Sequence, residues 1–222
     1  MRVAEYFDGV YNAHDRYWWV DKDRYSTDCD AYPYSLITQV TLRTLLGRRP
    51  GRALDLGAGE GSDAIRLALL GYQVEAVEIS QVGARKIARF AAGVGADLQV
   101  TVANIATYEF AGPYEVIICN GVLHYMSDND KALVIQRMQE TTASGGINVV
   151  SLWSDYTPTP GCHDQVPTYC DSEDGLVIGR YKEWDKNLLY YERDKQESSH
   201  SDLPTHHHSH IKMVATKPSP AS

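Results

Sequence analysis

The sequence predicts an α/β fold built on a doubly wound parallel sheet, and three observations carry that reading. Strand-like apolar runs alternate with segments of helical periodicity through five successive units. The first unit passes from strand to helix through a glycine-rich turn containing Gly57, Gly59 and Gly61. The fourth strand, residues 114–119, is an apolar run interrupted only by Glu115, the pattern of a strand covered on both faces.

The first unit organises the rest. Ala53, Leu54 and Leu56 form a short apolar strand that carries Asp55, and residues 64–70 open a helix behind the turn. A dinucleotide fingerprint needs its third glycine three residues after the second, where this chain has Ser62. The glycines run G-x-G-x-G instead. The second strand, residues 73–77, delivers Glu78 at its carboxyl end, where two carboxylate oxygens can accept hydrogen bonds from both hydroxyls of a ribose. The plainer alternative is an ordinary strand–helix turn that needs glycine for steric reasons alone.

The stretch ALDLGAGEGSDAIRLALLGYQVEAVEIS resembles the class I S-adenosylmethionine-dependent methyltransferases. The resemblance implies a Rossmann-like, seven-stranded doubly wound sheet with an antiparallel C-terminal hairpin, and S-adenosyl-L-methionine as cofactor. It also implies a cofactor site drawn from Asp55, Gly57, Gly59, Gly61, Glu78 and Ile79.

In chain order, residues 1–36 form a polar leader dense in aromatic residues, among them Tyr6, Phe7, Tyr11, Tyr17, Trp18, Trp19 and Tyr25, with Pro33 near its end. Ring faces attract a sulfonium cation and exclude water, so the leader is expected to cap the site. The expected organisation is a cap over residues 1–36, a methyltransferase domain over 37–217 and a tail over 218–222. Residues 36–46 repeat apolar positions at helical spacing and end at Gly47. A helix is expected over 82–94, begun near Ser80, and a strand over 98–102. By the resemblance, Asn104 and Ile105 just beyond that strand flank an adenine; read locally, Asn104 is a turn former.

The fourth strand ends at Asn120, followed by Gly121, Val122, Leu123 and His124. The family places here the loop that lines the transferring methyl group. Asn120 is expected at both the cofactor and the reaction centre, and His124 is the candidate general base, with a loop-orienting role as the competing reading. A helix over 130–142, a turn at 144–146 and a fifth strand over 147–153 follow. The loop over 154–170 leaves the carboxyl edge of that strand, where open α/β sheets bind ligands. Acceptor contacts are therefore expected from the loop, Tyr169 among them as a catalytic candidate, and from Trp184, Tyr191 or Arg193.

A helix near 172–179 and strands over 188–193 and 210–216 complete an order that looks like the small tellurite-resistance (TehB-like) methyltransferases over residues 50–217. The chain departs from that type in its longer leader and in the 154–170 loop, so tellurite or selenite is not carried over as substrate. His206, His207, His208 and His210 are read as part of the hairpin turn, with no metal site assigned.

The formal net charge of −8 over 222 residues argues against a surface built for phosphate backbones. The charged residues of the first thirty positions are incompatible with a secretory signal, no run is long and apolar enough for a bilayer, and a soluble cytoplasmic protein is expected. Cys29, Cys119, Cys162 and Cys170 show no C-x-x-C spacing and are expected as free thiols.

The function expected is methyl transfer to a small molecule, with Arg16 or Arg24 linking the leader to the methionine carboxylate of the cofactor. Two rivals stand beside it. One is a cyclase converting the same cofactor to azetidine-2-carboxylate and methylthioadenosine; the other is a cofactor-binding module without turnover.

Overall fold

The computed structural model describes residues 2–17, 25–28, 35–161, 164–197 and 203–219. Its centre is a seven-stranded sheet formed by β1 (Arg52–Leu56), β2 (Gln73–Glu78), β3 (Gln99–Val102), β4 (Tyr114–Asn120), β5 (Thr142–Trp153), β6 (Asp185–Glu197) and β7 (His206–Thr216). The strand order is β3-β2-β1-β4-β5-β7-β6. The five central strands are parallel, and β7 runs antiparallel to both β5 and β6. The expected doubly wound sheet with a reversed terminal hairpin is therefore present. Two apolar clusters fill its faces, one around Leu54, Leu56, Ile117 and Leu152, the other around Ala53, Ala76, Val116 and Val149. Adjacent strand residues supply opposite clusters, as alternation requires.

Three helices begin where serine side chains accept the first orphan amides. Ser35 opens α2 (Leu36–Leu45) by accepting from Thr38 N, Ser80 opens α4 (Gln81–Val94) by accepting from Gly83 N, and Ser127 opens α5 (Asp128–Thr141) by accepting from Asp130 N. The helix behind the glycine turn, α3, runs Ser62–Leu69, and α6 is the short Leu176–Arg180. α4 closes at Gly95, whose φ of 69° is the left-handed conformation common at helix ends.

Three features go beyond or against the expectations. First, the leader, to which no element was assigned, carries a helix: residues Val3–Ala13 form α1, with Val3, Phe7, Val10 and Tyr11 at helical spacing. Second, the turn expected at 144–146 lies inside β5. The register jumps from Tyr114↔Thr142 to Val116↔Ile147, so these residues form a bulge rather than a connection. Third, His206 to His210 belong to β7 and pair with β6 and β5. Alternation explains the strand: His206 and His208 are buried and His207 is exposed.

No helix among the described residues is long and apolar enough to cross a membrane. Cys119 and Cys170 are free thiols, and burial raises the Cys119 pKa well above its ordinary value. Cys29 and Cys162 lie outside the described residues.

Candidate active site

β1 runs into the turn at the carboxyl edge, and Gly57, Gly59 and Gly61 all take positive φ, at 69°, 60° and 85°. The amides of Gly57 and Ala58 donate to the Val77 carbonyl at 2.7 and 3.0 Å, and Gly61 N closes the turn on Ala58 O at 2.8 Å. At Gly57 an added Cβ would fall inside the van der Waals envelope of the Val122 methyls, 2.9 Å from Cγ1. The left-handed backbone costs a non-glycine residue roughly 1–2 kcal/mol and overpacking about 1–3 more. Gly57→Ala is therefore expected to destabilise by about 2–5 kcal/mol in a denaturant titration. Adding Val122→Ala should recover the packing share; a double variant no more stable than Gly57→Ala would refute this account of the turn.

Two acids bracket the turn. Glu78, at the end of β2, accepts from Gly59 N at 2.7 Å through Oε2 and from Ser80 N at 2.9 Å through Oε1. It thus ties the end of β2 to the turn, which the sequence reading did not foresee, and the Ile79 amide lowers its pKa as a third backbone donor. Burial raises its pKa from 4.5 to about 7 against the pull of those backbone amides. Asp55, 3% exposed, has its pKa raised well above the ordinary carboxylate value, first by burial and then by the nearby Asp63. Its Oδ2 has no hydrogen-bond partner among the described residues.

Asp63, in the first turn of α3, gathers the next group of side chains. Its Oδ1 pairs with the buried Arg66 at 2.7 Å, and its Oδ2 accepts from Asn120 Nδ2 at 3.1 Å. The Asn120 carbonyl oxygen in turn accepts from Ser151 Oγ. Asn120 is thereby held between α3 and β5 with its amide orientation fixed, at the end of β4 where the sequence puts it.

The residues after Asn120 form a 3₁₀ turn, Leu123–Tyr125. The His124 ring is 2% exposed and lies parallel to Trp153, centroids 4.1 Å apart and planes 11° apart. Its Nδ1 accepts from the Trp153 backbone amide at 3.4 Å. The lone pair that a general base needs is turned toward the main chain, so the geometry favours the loop-orienting role for His124. Tyr169 is 43% exposed, and its backbone amide donates to His124 O at 2.7 Å. That bond brings the end of the 154–170 loop onto the turn.

Other expected contacts go elsewhere. Asn104 Oδ1 accepts from Ala106 N at 3.0 Å, the turn-former arrangement. Ile105 is packed in the core with Leu56, Val77 and Leu123. Ile79, half-buried, follows Glu78 directly. Arg16 places its guanidinium 4.1 Å from the centroid of the Phe90 ring, so it does not serve the glycine turn. Arg24 lies outside the described residues. Arg193 forms a two-pronged pair with Glu173 at 2.8 and 2.5 Å, Tyr191 OH donates to Glu173 O at 2.8 Å, and Trp184 packs edge-on against Tyr181. Arg193 and Tyr191 thus fasten β6 to the chain before α6, while Trp184 packs on the residue that follows α6.

The sequence reading missed how the N-terminal segment is fixed. Asp8 Oδ1 accepts from Ser80 Oγ at 2.5 Å and from Val82 N at 3.1 Å, adding a second acceptor at the start of α4. Inside the turn, Glu60 binds Lys86 Nζ at 2.8 Å and accepts from Tyr17 N at 2.8 Å. Lys86 Nζ also donates to His14 O at 2.6 Å. Phe7 meets the Tyr125 ring edge-on at 5.3 Å. The only available signals were the acid inside the glycine turn and the 3.6-residue period of α1. A separate cleft lined by Arg48, Arg49, Tyr72, Glu115 and Gly146 lies at the opposite, amino-terminal edge of the sheet.

The strand order and the glycine turn between two buried acids define the class I methyltransferase fold. Within that class the chain belongs to the TehB family: the family model described as "Tellurite resistance protein TehB" matches residues 30–214. The chain is 29% identical over 143 residues to "Hemagglutinin 1" of Eikenella corrodens, covering 64% of this chain and 46% of that protein. It is 23% identical over 155 residues to the "Probable S-adenosyl-L-methionine-dependent methyltransferase TehB" of Haemophilus influenzae, covering 69% and 52%. The chain thus spans about half the length of the curated relatives it matches. Among solved structures, TehB from Haemophilus influenzae superposes with a TM-score of 0.71 at 19% identity, covering 88% of this chain and 66% of the other. The N-methyltransferase NodS from Bradyrhizobium japonicum, in complex with S-adenosyl-L-homocysteine, gives 0.63 at 16% identity, covering 97% and 98%.

Proposed function

We propose that the chain is an S-adenosyl-L-methionine-dependent methyltransferase acting on a small molecule. The observation that carries the reading is the turn of Gly57, Gly59 and Gly61 locked between Asp55 and Glu78, two buried acids with upward-shifted pKa values. The residues present fit the cofactor. Asp55 Oδ2 is a buried acceptor without a partner among the described residues, suited to an amino group. Glu78, with three backbone amides on its carboxylate, keeps acceptor capacity for a ribose hydroxyl. The first amides of α3, behind the turn, suit a carboxylate. Asn104 retains amide donors and a second carbonyl lone pair for an adenine edge.

When bound, S-adenosylmethionine supplies a methyl group already activated on a sulfonium. The chain's work is then orientation and exclusion of water. Asn120, held by Asp63 and Ser151, lines the acceptor side. His124 and Trp153 set the path of the loop through their stacked rings, and the loop over 154–170 is tied to them through Tyr169 N. α1 serves as the cap, because Asp8 reaches the start of α4 while Phe7 reaches Tyr125. The net charge of −8 supports a small acceptor over nucleic acid.

The test is product analysis with purified protein, labelled cofactor and a panel of small amine, hydroxyl and thiol acceptors. Label in an acceptor together with S-adenosylhomocysteine is the expected result. Methylthioadenosine with a four-membered amino acid ring would establish the cyclase instead, and cofactor binding with no consumption would establish a binding module.

A further inference from the structure

β6 ends at Glu197 and β7 begins at His206, and the two residues are direct partners in the antiparallel register. Strand alternation puts His208 on the face of His206 and turns His207 away from it. His206 and His208 are 6% and 3% exposed, and their rings meet edge-on with centroids 4.7 Å apart. One ligand atom from each of Glu197, His206 and His208 lies within 4.8 Å of the other two.

The protonation of His206 follows from its neighbours. Its Nδ1 is 2.7 Å from the Pro204 carbonyl oxygen. A carbonyl oxygen only accepts, so Nδ1 carries the hydrogen and the lone pair of the neutral ring is on Nε2. That Nε2 is 3.7 Å from Glu197 Oε2, too far for a hydrogen bond. Two ligands bound about 2.1 Å from one tetrahedral ion lie about 3.4 Å apart, close to that separation. An imidazole whose second nitrogen is anchored on a main-chain carbonyl is also the usual outer support of a metal-ligating histidine. His208 is held by stacking on Trp153, centroids 4.1 Å apart and planes 18° apart. Both histidine rings are therefore oriented by contacts of their own.

We infer that Glu197, His206 and His208 form a binding site for a divalent transition-metal ion at the carboxyl edge of the sheet. Two imidazole nitrogens and one carboxylate suit Zn²⁺, Co²⁺ or Ni²⁺; Mg²⁺ and Ca²⁺ favour all-oxygen sets. Three protein ligands leave a fourth tetrahedral position for water. Trp153 lies between this site and His124, stacked on His208 by one face and on His124 by the other. The inference stands independently of methyl transfer.

The test uses the full chain without an affinity tag, stripped with chelator and titrated with Co²⁺ and Zn²⁺. Expected are one equivalent bound per chain and the visible absorption of tetrahedral Co²⁺. Glu197→Gln and His208→Ala should each weaken binding by about tenfold or more. His207→Ala, on the exposed face, should leave it unchanged. Glu197→Gln preserves side-chain shape at a partly exposed position, and circular dichroism in chelator verifies that each variant is folded. No stoichiometric binding by the native chain would overturn the site. So would loss of binding in His207→Ala with retention in Glu197→Gln, the signature of exposed histidines acting as a tag.

Discussion

Replacing Lys86 by methionine is expected to destabilise the protein by about 3–5 kcal/mol, because it strips the buried Glu60 carboxylate of its cation. The Glu60 side chain is 1% exposed and that of Lys86 10%, and they meet at 2.8 Å. A surface pair is worth only about 0–1 kcal/mol, so the size of the loss separates the two cases. In a chain of this length the change lowers the melting temperature by about 10–15 °C. The double variant Glu60→Gln/Lys86→Met removes both charges and should recover most of the stability. Chemical denaturation of the native chain, the single variant and the double variant makes the comparison. A single variant within about 1 kcal/mol of the native chain would show that the pair is effectively solvated. Because Glu60 also holds Tyr17 N and Lys86 also holds His14 O, Lys86→Met should in addition expose the chain after α1 to limited proteolysis.

Glu78→Gln should change both stability and cofactor affinity in a way that depends on pH. The folded-state pKa of about 7 lies above the ordinary 4.5, chiefly through burial. The folded protein therefore holds this proton more tightly than the unfolded chain does. Its contribution to stability is complete below about pH 4.5 and is lost as pH rises through about 7. Relative to Glu78→Gln, which has no such proton, the native chain should lose about 3 kcal/mol across that window. Ligand binding runs the other way, since ribose hydroxyls donate best to an ionised carboxylate. Affinity for S-adenosylhomocysteine should rise about tenfold between about pH 6 and pH 8 in the native chain and stay flat in the variant. Calorimetry at several pH values measures this. A slope that survives the substitution would place the titrating group elsewhere, Asp55 being the first alternative.

Much of the fold was legible because its signals are local. A strand, a glycine turn and a helix are adjacent in residues 52–69, and strand alternation with an acid at its end covers 73–78. The contacts that decide residue roles join distant parts of the chain. Lys86 finds Glu60 across 26 positions, Asn120 finds Asp63 across 57 and Ser80 finds Asp8 across 72. Periodicity carries no information at such separations. The histidine run differs for another reason: the polar residues 205–210 after Pro204 resemble a turn by type, while the pairing with β6 and β5 that makes 206–210 a strand lies outside the run. His124 shows the limit at the level of a single side chain. Its residue type suggests proton transfer, but its role follows from an amide of β5 and a tryptophan ring 29 residues away.

Because β7 runs against the other strands of the central sheet beside it, its first residues stand on the rim where those strands finish. Side chains at 206 and 208 are thus presented by a hydrogen-bonded ladder, and exchanging them alters the chemical character of the rim without lengthening, shortening or rerouting any connection.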